Sequence, residues 1–316
     1  MASAAEVDLA FRLLLGRSPA AAELADWIAA PVDELRDRLM ATDAFRAALP
    51  LHAVRPPMGP APDIAWLVPQ ATAAALLDRV RARWTRLGQE RPHWSVNARE
   101  EFQPQRITSN LDDFAATGQA DLAILLACLA RHGVAPAALP RALDFGCGVG
   151  RVTAAMAGVF AHVSGCDVSE SHLTLARERC PGVGFALVQP PGFGMDAPFD
   201  LWFSLLTLQH NPPPLIALIL ARMFARLSPG GIAVFQLPTW RAGYAFDADT
   251  YLAKPEPADP IEIHVLPQPV VFALGHEAGC VPLEVQEDGA IWPPTACTSD
   301  RFVFRKVCPQ PQLARS

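Results

Sequence analysis

The chain has 316 residues, of which 51% are hydrophobic and 18% charged, with a formal net charge of −6. That length buries a sizeable core in one large or two modest domains, and the composition excludes a disordered chain. The acidic balance argues against a nucleic-acid partner, and seven cysteines, odd in number and without a C-x-x-C pair, exclude a disulfide framework or a zinc site.

Residues 1–50 are helical in pattern. Val7, Leu9, Ala10, Leu13 and Leu14 recur at helical spacing, and Ser18-Pro19 predicts the start of a second helix. Trp27, Ile28, Leu35, Leu39 and Phe45 supply apolar faces for further short helices. The run from Phe11 to Leu49 resembles a small all-helical bacterial module of unknown function that often precedes carbohydrate-modifying or methyl-transferring domains. Residues 51–62 read as a proline-rich linker. Residues 63–140 form a helical and lid region. In it Ile64–Leu87 is helical with Leu76, Leu77, Val80 and Trp84 on one side, 91–110 lacks a period and reads as a loop, and Asp121–His132 is an apolar helix closed by Gly133.

From Arg141 to Cys308 strands alternate with helices. The predicted strands are Arg141–Phe145, His162–Asp167, Val183–Gln189, Phe199–Leu205, Gly231–Leu237, Leu283–Glu287 and Phe302–Val307. The helices between them are Val152–Phe160, Ser169–Cys180, Pro213–Leu227 and Pro269–Gly279. This alternation predicts an α/β fold, a doubly wound, mostly parallel seven-stranded sheet covered on both faces. Residues 309–316 are a tail. The amino-terminal run carries acids where a signal peptide needs a basic start, and apolar runs such as Leu122–Ala130 are too short to span a bilayer. The chain therefore reads as cytoplasmic, with no membrane partner.

The most informative stretch is Leu143-Asp144-Phe145-Gly146-Cys147-Gly148-Val149-Gly150-Arg151. Its glycines let a ligand approach the backbone at a tight strand-to-helix turn, where cofactors sit in open α/β sheets. A dinucleotide fingerprint spaces its glycines G-x-G-x-x-G, whereas here the spacing is G-x-G-x-G. The acid upstream suits a cofactor with an ammonium group better than a pyrophosphate. About twenty residues on, Asp167 ends the second strand, placed to accept from ribose hydroxyls or to complement a helix dipole.

The run LDFGCGVGR closely resembles the first motif of class I S-adenosylmethionine-dependent methyltransferases, and the chain is identified as a member of their small-molecule and glycan branch. The resemblance implies S-adenosyl-L-methionine as cofactor, with Asp144 at its methionine end and Phe145, Gly146, Cys147 and Gly148 passing beside it. It implies ribose contacts from Asp167 and Val168. The family often has an acid near the adenine after the third strand; here Gln189 stands there, with Asp196 as an alternative. Phe199–Leu205 followed by Leu208-Gln209-His210 resembles the fourth motif, which implies Ser204 and Leu205 near the sulfonium. Ser228-Pro229-Gly230-Gly231 resembles the turn before the fifth strand. Asn211-Pro212-Pro213-Pro214 resembles the amide-gripping tetrad of amino-methyltransferases but lacks its aromatic and lies past the strand end, so Asn211 reads as a helix cap.

Methyl transfer to a hydroxyl benefits from a general base. His210 is the first candidate and His264, in the insertion after the fifth strand, the second; each is alternatively a hydrogen-bonded structural histidine. Trp240 and Tyr244 in that insertion are candidates for the acceptor pocket. Trp94, in the upstream loop, either covers the sulfonium or packs in the core. No metal site is expected. The sequence thus predicts an enzyme moving a methyl group to a small-molecule or glycan acceptor, at a hydroxyl. An NAD-type oxidoreductase and a non-catalytic binding module are the competing readings. The acceptor's identity and the oligomeric state are unspecified.

Overall fold

The computed structural model describes residues 2–15, 17–28, 30–31, 34–35, 38–39, 42, 63–190, 192–194, 196–255, 261–289 and 297–307, with the side chains of 13–15 excepted. Phe45, the predicted linker and the tail lie outside the described residues. The chain divides into two compact units, Met1–Met58 and Gly59–Ser316. The first holds helices α1 (Ala4–Leu15) and α2 (Ala21–Trp27). Val7, Phe11, Leu35 and Leu39 are buried there, and Phe11 meets Trp27 edge to face at 5.7 Å. The second helix starts after Ala20 rather than at Pro19, because the Glu23 carboxylate takes the Ala20 N–H at 2.8 Å.

In the second unit a seven-stranded sheet runs in the order β4-β3-β2-β5-β6-β9-β8. Its strands are β2 (Arg141–Phe145), β3 (His162–Asp167), β4 (Gly184–Leu187), β5 (Phe199–Ser204), β6 (Leu227–Arg241), β8 (Cys280–Glu287) and β9 (Cys297–Lys306). The first five are parallel, and β9 runs antiparallel to both β6 and β8. A separate two-stranded ladder pairs β1 (Asp63–Ile64) with β7 (Ala245–Phe246).

The strands carry apolar residues toward both faces, as a sheet covered on both sides requires. Leu143, Phe145, Trp202 and Phe235 belong to one core with helices α3 (Gln70–Glu90) and α8 (Pro213–Arg226). Ala142, Leu201, Phe203 and Val234 belong to the other, with α5 (Leu111–Arg131) and α6 (Arg151–Ala157). The strand alternation that sends Leu143 and Phe145 one way sends Asp144 to the α6 side. Chain direction across the sheet reverses about β2, so the crevice at its carboxyl end is the topological switch point where ligands bind in such sheets.

Several boundaries differ from the sequence reading. The helix expected from Ile64 starts at Gln70 after Pro69, and Asp63–Ile64 is a strand. The segment read as a loop contains helix α4 (Pro92–Val96) and two short 3-10 turns, too brief to show a period. Helix α5 begins ten residues before Asp121, which makes it long and apolar enough to cross a membrane by length and composition alone. Phe114, Leu122, Leu125, Cys128 and Leu129 on it are buried in the fold. The insertion carries an unforeseen helix, α9 (Ala248–Ala253), capped by Asp247 accepting from Thr250 N at 2.8 Å. The remaining helices are α7 (Glu170–Arg179) and α10 (Gln268–Glu277).

Candidate functional site

A cleft enclosing roughly 920 Å3, its open mouth included, lies at the carboxyl ends of β2, β3 and β5. Its floor is the glycine turn. Gly146 has φ +75°, and a Cβ there would fall inside the Thr207 side chain. Gly148 has φ +53°, and a Cβ there would stand 2.5 Å from Val96 Cγ2. The turn is tied to the neighbouring strand: Gly146 N and Cys147 N donate to Cys166 O at 2.8 and 3.0 Å. Gly148 N donates to Asp167 Oδ2 and Ser169 N to Asp167 Oδ1, each at 2.9 Å. Asp167 therefore holds the turn and the start of α7 together while still facing the cleft.

Asp144 is 4% exposed, lines the cleft and accepts from Thr153 Oγ1 at 2.6 Å. Burial raises its carboxyl from the usual range to about 6, with the Thr153 hydrogen bond opposing. A cationic group placed beside it would reverse that shift. The residues present fit S-adenosylmethionine: Asp144 for the ammonium, the side-chain-free turn for the chain of the methionine end, Asp167 for the ribose, and Val168 and Val188 as apolar walls. Phe145, Cys147 and Leu205 also line the cleft.

Other expected residues stand elsewhere. Gln189 is exposed and its carbonyl accepts from Phe193 N at 2.8 Å; Val188 faces the cleft in its place. Asp196 is likewise exposed and off the cleft wall. Ser204 is fully buried and donates to Phe145 O at 3.0 Å, joining two strands rather than facing the cavity. Trp94 lies off the cleft under the Arg91 guanidinium, 4.4 Å from its ring centre, and Ser95 and Val96 of α4 cover the cavity instead. Trp240 is half-buried and outside the cleft. Asn211 lines the cleft, and its side-chain amide donates to Thr207 O and Leu208 O at 3.2 and 3.4 Å, so it does not cap the following helix.

His210 is on the cleft wall, 5.1 Å from the ring of Trp84. Its Nδ1 lies 2.9 Å from the carbonyl of Glu262, and burial lowers its pKa to about 4. His264 is 5% exposed and absent from the cleft wall; its Nδ1 meets Tyr244 Oη at 2.8 Å, and its Nε2 is 3.6 Å from Glu262 Oε2. Glu262 pairs with the buried Arg83 and accepts from Tyr251 Oη at 2.6 Å. Burial would raise Glu262, but these partners and His264 outweigh it and hold the carboxyl at about 2. His264 and Tyr244 thus serve the ionic cluster behind the cleft.

Sequence reasoning missed Thr153, Trp84, Thr207, Arg83, Glu262 and His172. Trp84 was visible as part of an apolar helix face but not as a cavity wall. His172, 1% exposed, contacts Ser95 Oγ through Nε2 and Ser169 Oγ through Nδ1, both at 2.8 Å, and so fastens α4 to the end of β3. In the structure Ser169 also caps α7, accepting from His172 N at 3.3 Å.

Residues 142–231 match the family model described as a methyltransferase domain. The trans-aconitate 2-methyltransferase of Methylobacterium radiotolerans is 39% identical over 106 residues, 33% of this chain and 40% of that protein. The ubiquinone biosynthesis O-methyltransferase of Thiobacillus denitrificans is 38% identical over 107 residues, 32% of this chain and 45% of that protein. The chain spans less than half the length of these curated relatives. The solved magnesium protoporphyrin IX methyltransferase from Synechocystis PCC 6803 with bound SAH shares the fold, with a TM-score of 0.50 and 15% identity over 73% of this chain and 99% of that one. Residues 142–231 thus carry the match to a methyltransferase domain, and the glycine turn, the acid at the end of β3 and the sheet order around them are those of the shared fold.

Proposed function

We propose that the protein methylates a hydroxyl of a small-molecule or glycan acceptor, with His210 receiving the hydroxyl proton. The observation that carries this reading is a histidine on the wall of the cleft, in the 3-10 turn that follows β5, with Nδ1 against the Glu262 carbonyl. When bound, the cofactor supplies an electrophilic methyl carbon on its sulfonium. The protein's part is to align an acceptor oxygen with that carbon and remove its proton. Because burial keeps His210 unprotonated near neutrality, a proton-accepting nitrogen is present at working pH, though a weak base.

The cleft's charges favour a hydroxyl over a carboxylate acceptor. A carboxylate needs no base and calls for a cation, and among the described residues lining the cleft Arg151 is the one cation, burial holding the pKa of His172 and His210 down. Arg151 is already bound to Asp121 at 2.5 Å and to Thr117 at 3.1 Å. The names of the relatives give trans-aconitate, a carboxylate, for one and methylation at an oxygen for the other. The glycan option rests on the usual company of the amino-terminal helical module. A cytoplasmic setting suits the six buried cysteines among the described residues, all unbridged.

The test is a methyl-transfer screen over a catechol, simple monosaccharides and trans-aconitate, with His210→Ala alongside. Turnover of a hydroxyl acceptor that falls by about 100-fold or more in His210→Ala, with S-adenosylhomocysteine affinity unchanged, is expected. Turnover of trans-aconitate alone, or full activity in the variant, would sink the reading.

A further inference from the structure

Behind His210 runs a chain of polar contacts that the reaction as proposed does not use. Leu206 N donates to Gln236 Oε1 at 3.1 Å. Gln236 Nε2 then donates to Gln209 Oε1 at 3.0 Å and to Ser299 Oγ at 2.6 Å. Gln209 Nε2 stands 3.4 Å from His210 Nε2, and His210 Nδ1 stands 2.9 Å from the carbonyl of Glu262. Gln236, Ser299 and Gln209 are 0%, 2% and 4% exposed, so an unmatched group among them has no water to turn to.

The polarity of this chain is dictated from both ends. A backbone N–H only donates, so the atom of Gln236 that meets Leu206 is the amide oxygen. Its nitrogen must then face the oxygen of Gln209, whose own nitrogen faces the imidazole. At the other end the Glu262 carbonyl only accepts, so Nδ1 of His210 carries the proton. One assignment satisfies each of these links: Nε2 carries no proton and faces the Gln209 amide at 3.4 Å, with the Leu206 backbone also against the ring.

We propose that Gln236 and Gln209, with the Glu262 carbonyl, are positioning residues that lock His210 in its Nδ1–H tautomer and present Nε2 to the acceptor hydroxyl. The inference rests on the proton-accepting role given to His210 above, but its test does not use turnover. The 3.4 Å contact from Gln209 is long for a hydrogen bond, so a hydroxyl in the cleft at the usual 2.7–2.8 Å displaces it readily. As the acceptor oxygen bonds the methyl carbon, the carbon–sulfur electron pair stays on sulfur. The hydroxyl proton passes to Nε2, and the positive charge moves from sulfonium to imidazolium. The Nδ1–H bond to Glu262 persists throughout and stabilises that imidazolium. Arg83, Tyr251 and His264 contribute by holding the side chain of Glu262, and with it the carbonyl.

The side-chain nitrogens of His210 in the 15N-labelled full chain report the lock directly, with His210→Asn identifying the signals. The wild type should show Nδ1 protonated and Nε2 bare. In Gln209→Glu a carboxylate faces Nε2 and draws the proton there, raising its occupancy at Nε2 from below about a tenth to above about a half. In Gln236→Leu the chain is cut and the two tautomers should mix. Should that buried variant not fold, the other two spectra decide. A wild-type proton on Nε2, or a bare Nε2 in Gln209→Glu, overturns the proposal. The expected spectra together with full activity in His210→Ala would uphold the lock while refuting the base.

Discussion

The two sides of the cleft are built from opposite materials. The cofactor side is mostly backbone: the glycine turn, two carbonyl-directed amides and the carboxylates of Asp144 and Asp167, all within residues 144–169. The side that carries His210 is mostly side chain, backed by contacts from α3, the 3-10 turn at Leu208–His210, β6, the insertion and β9. A surface made of backbone fails when atoms are added, and one made of side chains fails when atoms are removed. The two sides also share a property. On each, burial pushes an ionisable group of the cleft wall toward its neutral form, Asp144 on one and His210 on the other.

The largest effect expected from breaking this contrast is Arg83→Met. It leaves Glu262 without its buried cation and should lower stability by about 3 kcal/mol in urea unfolding. A loss under about 1 kcal/mol would mean that the cluster behind the cleft is not held by that pair. Gly146→Ala is the matching test of the other side. Adding one methyl at positive φ against Thr207 should weaken S-adenosylhomocysteine binding by about 100-fold in calorimetry, roughly 2.7 kcal/mol. Unaltered affinity would show that the turn has room the geometry denies.

The pH responses come next. In the ligand-free protein Asp144 titrates near 6, above its ordinary 3.8, because burial disfavours the carboxylate. A cofactor ammonium favours the ionised form, so binding should release protons below about pH 6 and lose about tenfold in affinity per pH unit beneath it. The sign is opposite for His210. Its native pKa lies below the unfolded value, so the unfolded chain binds more protons between pH 6.5 and about 4, and this histidine costs the fold stability as pH falls through that window. An affinity independent of pH between 4 and 7 would contradict the placement of the ammonium at Asp144. The smallest effect expected is Thr153→Val, which removes the hydrogen bond opposing the Asp144 shift. Calorimetry should show the midpoint for proton release moving upward, with about 1 kcal/mol lost in stability.

The same division governs how much was legible in the sequence. Asp144, the glycines and Asp167 lie in one strand–turn–helix–strand unit, so their spacing along the chain nearly is their spacing in space. The strands and their alternation were likewise readable, because a sheet covered on both faces repeats its apolar residues locally. Gln189 and Ser204 carried the family pattern by position, yet one is turned to solvent and the other ties β5 to β2. Position in a motif does not determine which way a side chain points when a strand end twists. Behind His210, Gln236 interrupts an apolar strand and Arg83 sits on an amphipathic helix, positions that no local spacing singles out. His210 and His264 were indistinguishable as candidates until the fold put one on the cleft and the other behind it.

By itself, then, the sequence determined the doubly wound sheet and the location of its glycine turn, since each depends on residues close together in the chain and on periodicities of one element. The tertiary structure alone decided which histidine faces the cavity, what holds its tautomer, and what closes the cleft above Gly148. Those depend on contacts between segments up to 179 residues apart, such as Arg83 and Glu262, whose meeting no local spacing encodes.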